Sequence, residues 1–109
     1  MKIVAVCACT AGIAHTYMAQ EVIEQECKRR GYDIKVETQG GMGIDNELEQ
    51  EDIDEADVVI LAIAVGIEMQ ERFDEKMDQG KLIEIGPSAA IKDIKGLFDR
   101  AEDLLRWKN

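Results

Sequence analysis

No stretch of this 109-residue chain approaches the roughly 18–20 consecutive apolar residues that a bilayer crossing requires. The opening Met1-Lys2-Ile3 runs straight into a strand pattern and carries no small-residue cleavage site of the kind that follows a secretory leader. Direct membrane insertion is therefore not expected, and the chain reads as cytoplasmic, reaching a membrane only through a partner. Histidine occurs once, at His15, and cysteine three times, at Cys7, Cys9 and Cys27. An odd number of thiols in a reducing compartment argues against a disulfide framework. So sparse a set leaves no Cys/His cluster to complete a metal site, and nothing in the sequence calls for a metal ion or an organic cofactor. Basic residues number 13 against 23 acidic ones, a formal charge of −10; this balance disfavours nucleic acid as a partner and favours docking on basic surfaces. Any bound phosphate must be held locally, against the overall field. Repeats, linkers and low-complexity segments are absent, and 46% of the residues are hydrophobic. Residues 1–109 therefore read as one domain with a core of its own.

What is present is a regular alternation of strand and helix patterns. Lys2 to Ala8 is a continuous apolar run, as expected of a central parallel strand covered on both faces. Ala14, Met18 and Val22 then recur at i, i+4, i+8, and Ala19, Ile23 and Cys27 widen that stripe, predicting a helix over His15–Arg30. Lys28, Arg29 and Arg30 suit the negative end of its dipole, and Gly31 ends it. Tyr32 to Thr38 alternates as a second strand with Ile34 and Val36 inward. Gln39-Gly40-Gly41-Met42-Gly43 reads as a flexible loop that needs positive φ or close approach to another backbone or a ligand. The acidic segment Asp45–Asp57 predicts a short surface helix over Gln50–Glu55, anchored by Leu48, Ile53 and Ala56, its charges forming either a solvated face or a docking patch for a partner.

Val58–Ala64 is a third buried strand. Val65–Asp78, with Ile67, Met69, Phe73 and Met77, reads as a loose helix, and Lys81–Ile85 as a fourth strand closed by Gly86-Pro87. Ile91, Ile94, Leu97, Phe98, Ala101, Leu104 and Leu105 form a helical stripe to the C-terminus, with Gly96 as its kink. The fold class that follows is α/β: a single-domain three-layer sandwich, Rossmann-like, with a four-stranded parallel sheet built by right-handed crossovers. Ligands of such sheets bind beyond the strands' carboxyl ends. The turn after the first strand and the glycine-rich loop after the second are thus expected to meet at one edge.

That first turn carries the chemistry. Cys9 stands at the strand's end, where backbone N–H groups from Thr10 to His15 are expected to converge, a place that binds anions and favours a thiolate. The arrangement suggests a cysteine that receives or attacks a phosphoryl group. Gly12 lets the backbone approach a phosphate, a role compatible with a simple tight turn. His15 either bonds a phosphoryl oxygen or caps and packs, and Thr16 either donates to the Cys9 thiolate or caps the helix. Cys7, two residues earlier within the strand, reads as core, and Cys27 as packing in the helix stripe. The layout of a cysteine, five residues, a basic residue and a hydroxyl residue is also similar to that of low-molecular-weight protein tyrosine phosphatases. Those enzymes need an arginine fork where this chain has His15, and an aspartic acid, usually before proline, to protonate the leaving group. The sole proline, Pro87, follows a glycine. Hydrolysis is therefore the weaker reading, and a thiophosphate is expected to persist until another acceptor arrives.

Over Ala8-Cys9-Thr10-Ala11-Gly12-Ile13-Ala14-His15-Thr16-Tyr17-Met18-Ala19 the chain resembles the IIB component of the fructose-specific phosphoenolpyruvate-dependent sugar phosphotransferase system. The family pattern there is Ala-Cys-Pro-Thr-Gly-Ile-Ala-His-Thr-Tyr-Met-Ala. Val36-Glu37-Thr38-Gln39-Gly40, followed by Gly43, is a second match; Ala56-Asp57-Val58-Val59-Ile60 and Arg72-Phe73 are weaker ones, and the resemblance covers nearly the whole chain. It implies that Cys9 accepts a phosphoryl group from a phosphohistidine of the IIA component and passes it to a sugar held by the membrane-embedded IIC permease. Thr10, Ala11, Gly12, Ile13, Ala14, His15 and Thr16 would then form the phosphate-binding loop, with Gln39 and Gly40 in a second loop beside it. A monomer is the expectation for so small a carrier. The chain departs from the pattern at Thr10 and Ala11, where the family commonly has Pro-Thr, which restores an N–H and removes a hydroxyl. Those two departures keep a transfer-deficient regulatory or interaction module as an alternative.

Overall fold

Ile3 to Cys7 offer water no polar side chain, and strand β1 (Lys2–Ala8) accordingly lies at the centre of the sheet with all five of these residues fully buried. The structure is a computed structural model that describes residues 1–9, 13–40 and 43–106, apart from the side chains of 13–15, 105 and 106. Helix α1 (Ile13–Arg30) follows, then β2 (Asp33–Gly40), β3 (Gly43–Asp45), α2 (Gln50–Glu55) and β4 (Val58–Ile63). A 3₁₀ turn (Gln70–Phe73) leads into α3 (Asp74–Asp78), β5 (Leu82–Ile85), α4 (Pro87–Lys92) and α5 (Ile94–Arg106).

The sheet order is β3-β2-β1-β4-β5. The four parallel strands are those expected, with β1 between β2 and β4, and β5 outside β4. The sheet nevertheless has five strands rather than four. Part of the stretch expected to be a loose glycine-rich loop is paired: Thr38, Gln39 and Gly40 lie antiparallel to Asp45, Ile44 and Gly43. Gly43 sits at φ +107, a backbone state that a residue with a Cβ rarely adopts, and this lets the chain return as an edge strand.

Side chains alternate between the two faces of a strand, and the two cores follow from that rule. Ile3, Ala5 and Cys7 face a layer made by Ala19, Ile23 and Cys27 of α1 with Leu97, Phe98 and Ala101 of α5. Val4 and Val6 face the other way, against Leu48, Ile53, Ala56 and Phe73. Three layers result, as expected. On α1 the buried row is Ala19, Ile23 and Cys27, whereas Met18 of the anticipated leading row is 48% exposed. The two rows are one residue, about 100°, apart on the helix, so local periodicity does not choose between them; the neighbouring sheet does.

Other boundaries moved for identifiable reasons. Helix α1 starts at Ile13 rather than His15, which puts Thr16 inside the helix and removes it as a capping residue. The segment after β4 is not one loose helix: irregular backbone runs to Met69 at φ +56, and the 3₁₀ turn then drives Phe73 into the core. The C-terminal helices part at Asp93 (φ −139, ψ 62), not at Gly96. There the Asp93 carboxylate accepts the Gly96 N–H at 3.1 Å, satisfying one of the donors that the start of α5 leaves without an intrahelical acceptor.

At the far end of α1, Gly31 at φ +79 ends the helix as anticipated. Its N–H donates to Lys28 O at 3.3 Å and the Tyr32 N–H to Cys27 O at 2.8 Å, the two bonds of a Schellman stop. A methyl at Gly31 would meet nothing within 4 Å, so only the dihedral resists it. Left-handed strain of about 1–2 kcal/mol outweighs the roughly 0.4–1 kcal/mol gained from a stiffer unfolded chain. Gly31→Ala should therefore lower stability by up to about 1.6 kcal/mol, read as an earlier urea midpoint with an unchanged slope.

Candidate functional site

Register places the site. Ala8, the last residue of β1, is level with Gln39 of β2 on one side and Ile63 of β4 on the other, and its carbonyl accepts the Ala64 N–H at 3.0 Å. Cys9 follows immediately, half-buried, and lines an open cleft of about 500 Å³. Gln39 and Gly40 from β2, and Gly43 and Ile44 from β3, form one wall; Val65, Gly66 and Glu68, from the segment after β4, form the other. Of the expected meeting between the post-β1 turn and the glycine-rich segment, the described part is Cys9 beside Gln39, Gly40 and Gly43, and a third piece of chain joins them.

Of the sequence-predicted residues, the structure brings Cys9, Gln39 and Gly40 together at this cleft. Thr16 lies in the first turn of α1, 4% exposed. Ile13, Ala14 and His15 form helical backbone there; their side chains, and the whole of Thr10, Ala11, Gly12, Gly41 and Met42, lie outside the described residues. The three cysteines divide as anticipated. Cys7 and Cys27 are fully buried, and burial pushes each thiol up to about 12, whereas Cys9 opens on the cleft; none of the three is in a disulfide.

Beneath the cleft lies a polar cluster that sequence reading missed. Glu37 is fully buried, and Arg72 grips it with two parallel bonds, Nη1 to Oε1 at 2.9 Å and Nη2 to Oε2 at 3.0 Å. Arg72 also donates from Nη1 to Leu48 O at 2.8 Å and from Nε to Met69 O at 2.9 Å. Glu37 accepts further bonds from the Leu48 N–H at 2.7 Å and Gln39 Nε2 at 2.6 Å. Burial alone would push the Glu37 carboxyl up, but the bonds from Arg72, Gln39 and Leu48 outweigh it and hold the group below the usual carboxylate range. Gln39 in turn accepts the Glu68 N–H at 2.8 Å and donates to Glu68 O at 3.3 Å. A signal for this cluster existed: a parallel sheet is covered on both faces, so a glutamate on its second strand needs a partner, and Arg72 beside the apolar Phe73 is such a partner.

Chemically, the described residues present the Cys9 sulfur among Ala8, Gly40, Gly43, Ile44, Val65 and Gly66, with Gln39 and Glu68 as the polar side chains lining the cleft. No lysine, arginine or aspartate lines it among the described residues. The described residues thus supply neither a bidentate clamp for phosphate nor the aspartic acid on which the phosphatase reading depended. In-line attack by sulfur on a phosphorus brought by a partner needs neither. Native alkylation with iodoacetamide should add one label, at Cys9, while the denatured chain takes three, as peptide mass mapping will report. Glu37→Gln should cost about 3–5 kcal/mol in urea unfolding, because it strands a buried guanidinium. Since the folded Glu37 titrates below the unfolded group, the stabilisation it brings is complete above the ordinary glutamate range and is lost as pH falls through the folded value. The acid limb of the stability curve should accordingly be shallower in Glu37→Gln.

Comparison with known proteins follows the same geometry. Residues 4–100 match the family model described as PTS system, Lactose/Cellobiose specific IIB subunit. The chain is 44% identical over 101 residues to the PTS system fructose-like EIIB component 2 of Escherichia coli (strain K12), an alignment spanning 93% of this chain and 92% of that protein. Among solved structures it is similar to an Enzyme IIB subunit of the PTS system from Escherichia coli K12, at a TM-score of 0.87 and 38% identity over 98% of this chain and 95% of the other. It is also similar to a domain of a fructose-specific IIABC component from Borrelia burgdorferi, at a TM-score of 0.81 and 44% identity over 92% and 91% of the two chains.

Proposed function

Because the chain belongs to the IIB family of the sugar phosphotransferase system, we propose that Cys9 is the residue on which it carries the phosphoryl group. The chain is a phosphocarrier of the fructose-like kind, a phosphotransferase that works between a IIA component and a IIC component. The observation that supports Cys9 is its position: two of the three thiols are sealed in the core, and the third lines the cleft at the carboxyl end of the central strand.

Transfer proceeds in two displacements. The Cys9 thiolate attacks the phosphorus of a IIA phosphohistidine; the S–P bond forms as the N–P bond breaks, and the imidazole leaves. A sugar hydroxyl held by IIC then attacks the same phosphorus, the S–P bond breaks, and the thiolate is regenerated. Positioning and charge stabilisation supply most of the rate in such reactions. Backbone N–H groups of residues Thr10 to His15 are the donors assigned to the phosphoryl oxygens, joined by the side chains of His15 and Thr16. Gln39 and Gly40 shape the opposite side. The chain acts as one domain over residues 1–109, as a monomer in the cytoplasm, and approaches the membrane through the IIC permease; no helix among the described residues is long and apolar enough to cross it.

Incubation with phosphoenolpyruvate, the general phosphotransferase proteins and a cognate IIA should add one phosphoryl group to the intact mass of the wild type and of Cys7→Ser, and none to Cys9→Ala. A phosphorylated Cys9→Ala would falsify the assignment.

A further inference from the structure

β1 ends at Ala8, level with Gln39 of β2 and with Ile63, the last residue of β4, so that past this point β2 faces the segment that follows β4 across the gap into which Cys9 emerges. Two strand spacings separate them, roughly 10 Å, too far for their backbones to pair. Side chains link the two sides: Arg72 reaches back to Glu37 of β2, and Gln39 of β2 reaches forward to Glu68. The Gln39 amide meets Glu68 with both its ends, Oε1 accepting the Glu68 N–H at 2.8 Å and Nε2 donating to Glu68 O at 3.3 Å. Its orientation is not free, because Nε2 also donates to Glu37 Oε2 at 2.6 Å, and a carboxylate cannot accept from an amide oxygen. Glu37 in turn is fixed by the two-pronged grip of Arg72, whose Nε also holds Met69 O, the residue at φ +56 where the post-β4 segment turns.

We propose that Glu37, Arg72 and Gln39 form a positioning relay that sets the wall of the Cys9 cleft made by Val65, Gly66 and Glu68. The relay does not touch the reacting atoms; it acts through that wall. This inference rests on Cys9 as the phosphoryl acceptor and assigns to it the groups that hold the incoming donor in line. A wall displaced by an ångström changes the attack geometry more than it changes how tightly a whole protein partner docks.

Two variants at Gln39 test the relay. Gln39→Met keeps the length of the side chain and removes every hydrogen bond it makes. The Glu68 N–H should then exchange with deuterium about 10-fold faster or more. Single-turnover transfer from phosphorylated IIA to Cys9 should slow by about 10–100-fold at saturating donor, with the half-saturating donor concentration within about threefold of wild type. Gln39→Glu sets a carboxylate against Glu37, but its protonated form can again donate to Glu37 and accept from Glu68. Its rate relative to wild type should therefore climb as pH is lowered from about 8 to about 6, a recovery that mere destabilisation would not give. Wild-type speed in Gln39→Met, a loss confined to half-saturation, or unchanged exchange at Glu68 overturns the relay while leaving Cys9 in place. A wild type that takes no phosphate on Cys9 overturns the functional reading and the relay together.

Discussion

Every backbone position from Ile3 to Ala8 is paired on both sides, with β2 and with β4, and Ile3 to Cys7 are sealed from above and below by two separate apolar layers. A strand enclosed in this way meets solvent only at its ends. Two consequences follow. A thiol at position 7 is inert, because burial disfavours its charged form. Cys9, two residues on, is about 7 Å further along, and that step takes it out of the core and onto the cleft. The buried and the cleft-lining cysteine are thus distinguished by where β1 stops.

The electrostatics suit a carrier. A chain with a formal charge of −10 gains nothing from its overall field when it takes on a phosphoryl group. Arg72, close to the site in the fold, is fully engaged with Glu37, Leu48 and Met69. A guanidinium aimed at the phosphate would hold the ground state tightly, and whatever stabilises the loaded state without stabilising the transition state raises the barrier to the next transfer. Spending the guanidinium on the scaffold is consistent with a group that must be accepted and then released.

Buried charge also explains why distant segments are joined. Glu37 lies on β2, Leu48 just ahead of α2, and Arg72 in the 3₁₀ turn beyond β4. Each supplies polar atoms that would be costly to bury alone, so the three segments are placed together or not at all. Breaking one partner is expensive for that reason. The cation–π contact of Arg72 on Phe73, 5.0 Å from the ring centre, ties the same turn to the apolar layer under the sheet.

What the amino-acid sequence determined by itself was local. The apolar run of β1, the helix Gln50–Glu55 with Leu48, Ile53 and Ala56 beneath it, the stop at Gly31 and the burial of Cys7 could all be read from residues within a few positions of one another. These depend on side-chain periodicity and turn chemistry, which act over one or two turns of chain. Tertiary structure alone decided that Ala19 rather than Met18 faces the sheet, that Gly43–Asp45 pairs as a fifth strand, and that Glu37 and Arg72, 35 residues apart, share one buried pair. Each of those outcomes depends on which distant surface covers a given face, and no local period encodes the identity of that partner. The cleft at Cys9 combines the two: its sulfur was legible in the sequence, whereas its far wall at Val65–Glu68 exists only because the folded sheet brings β2 and β4 to either side of the point where β1 ends.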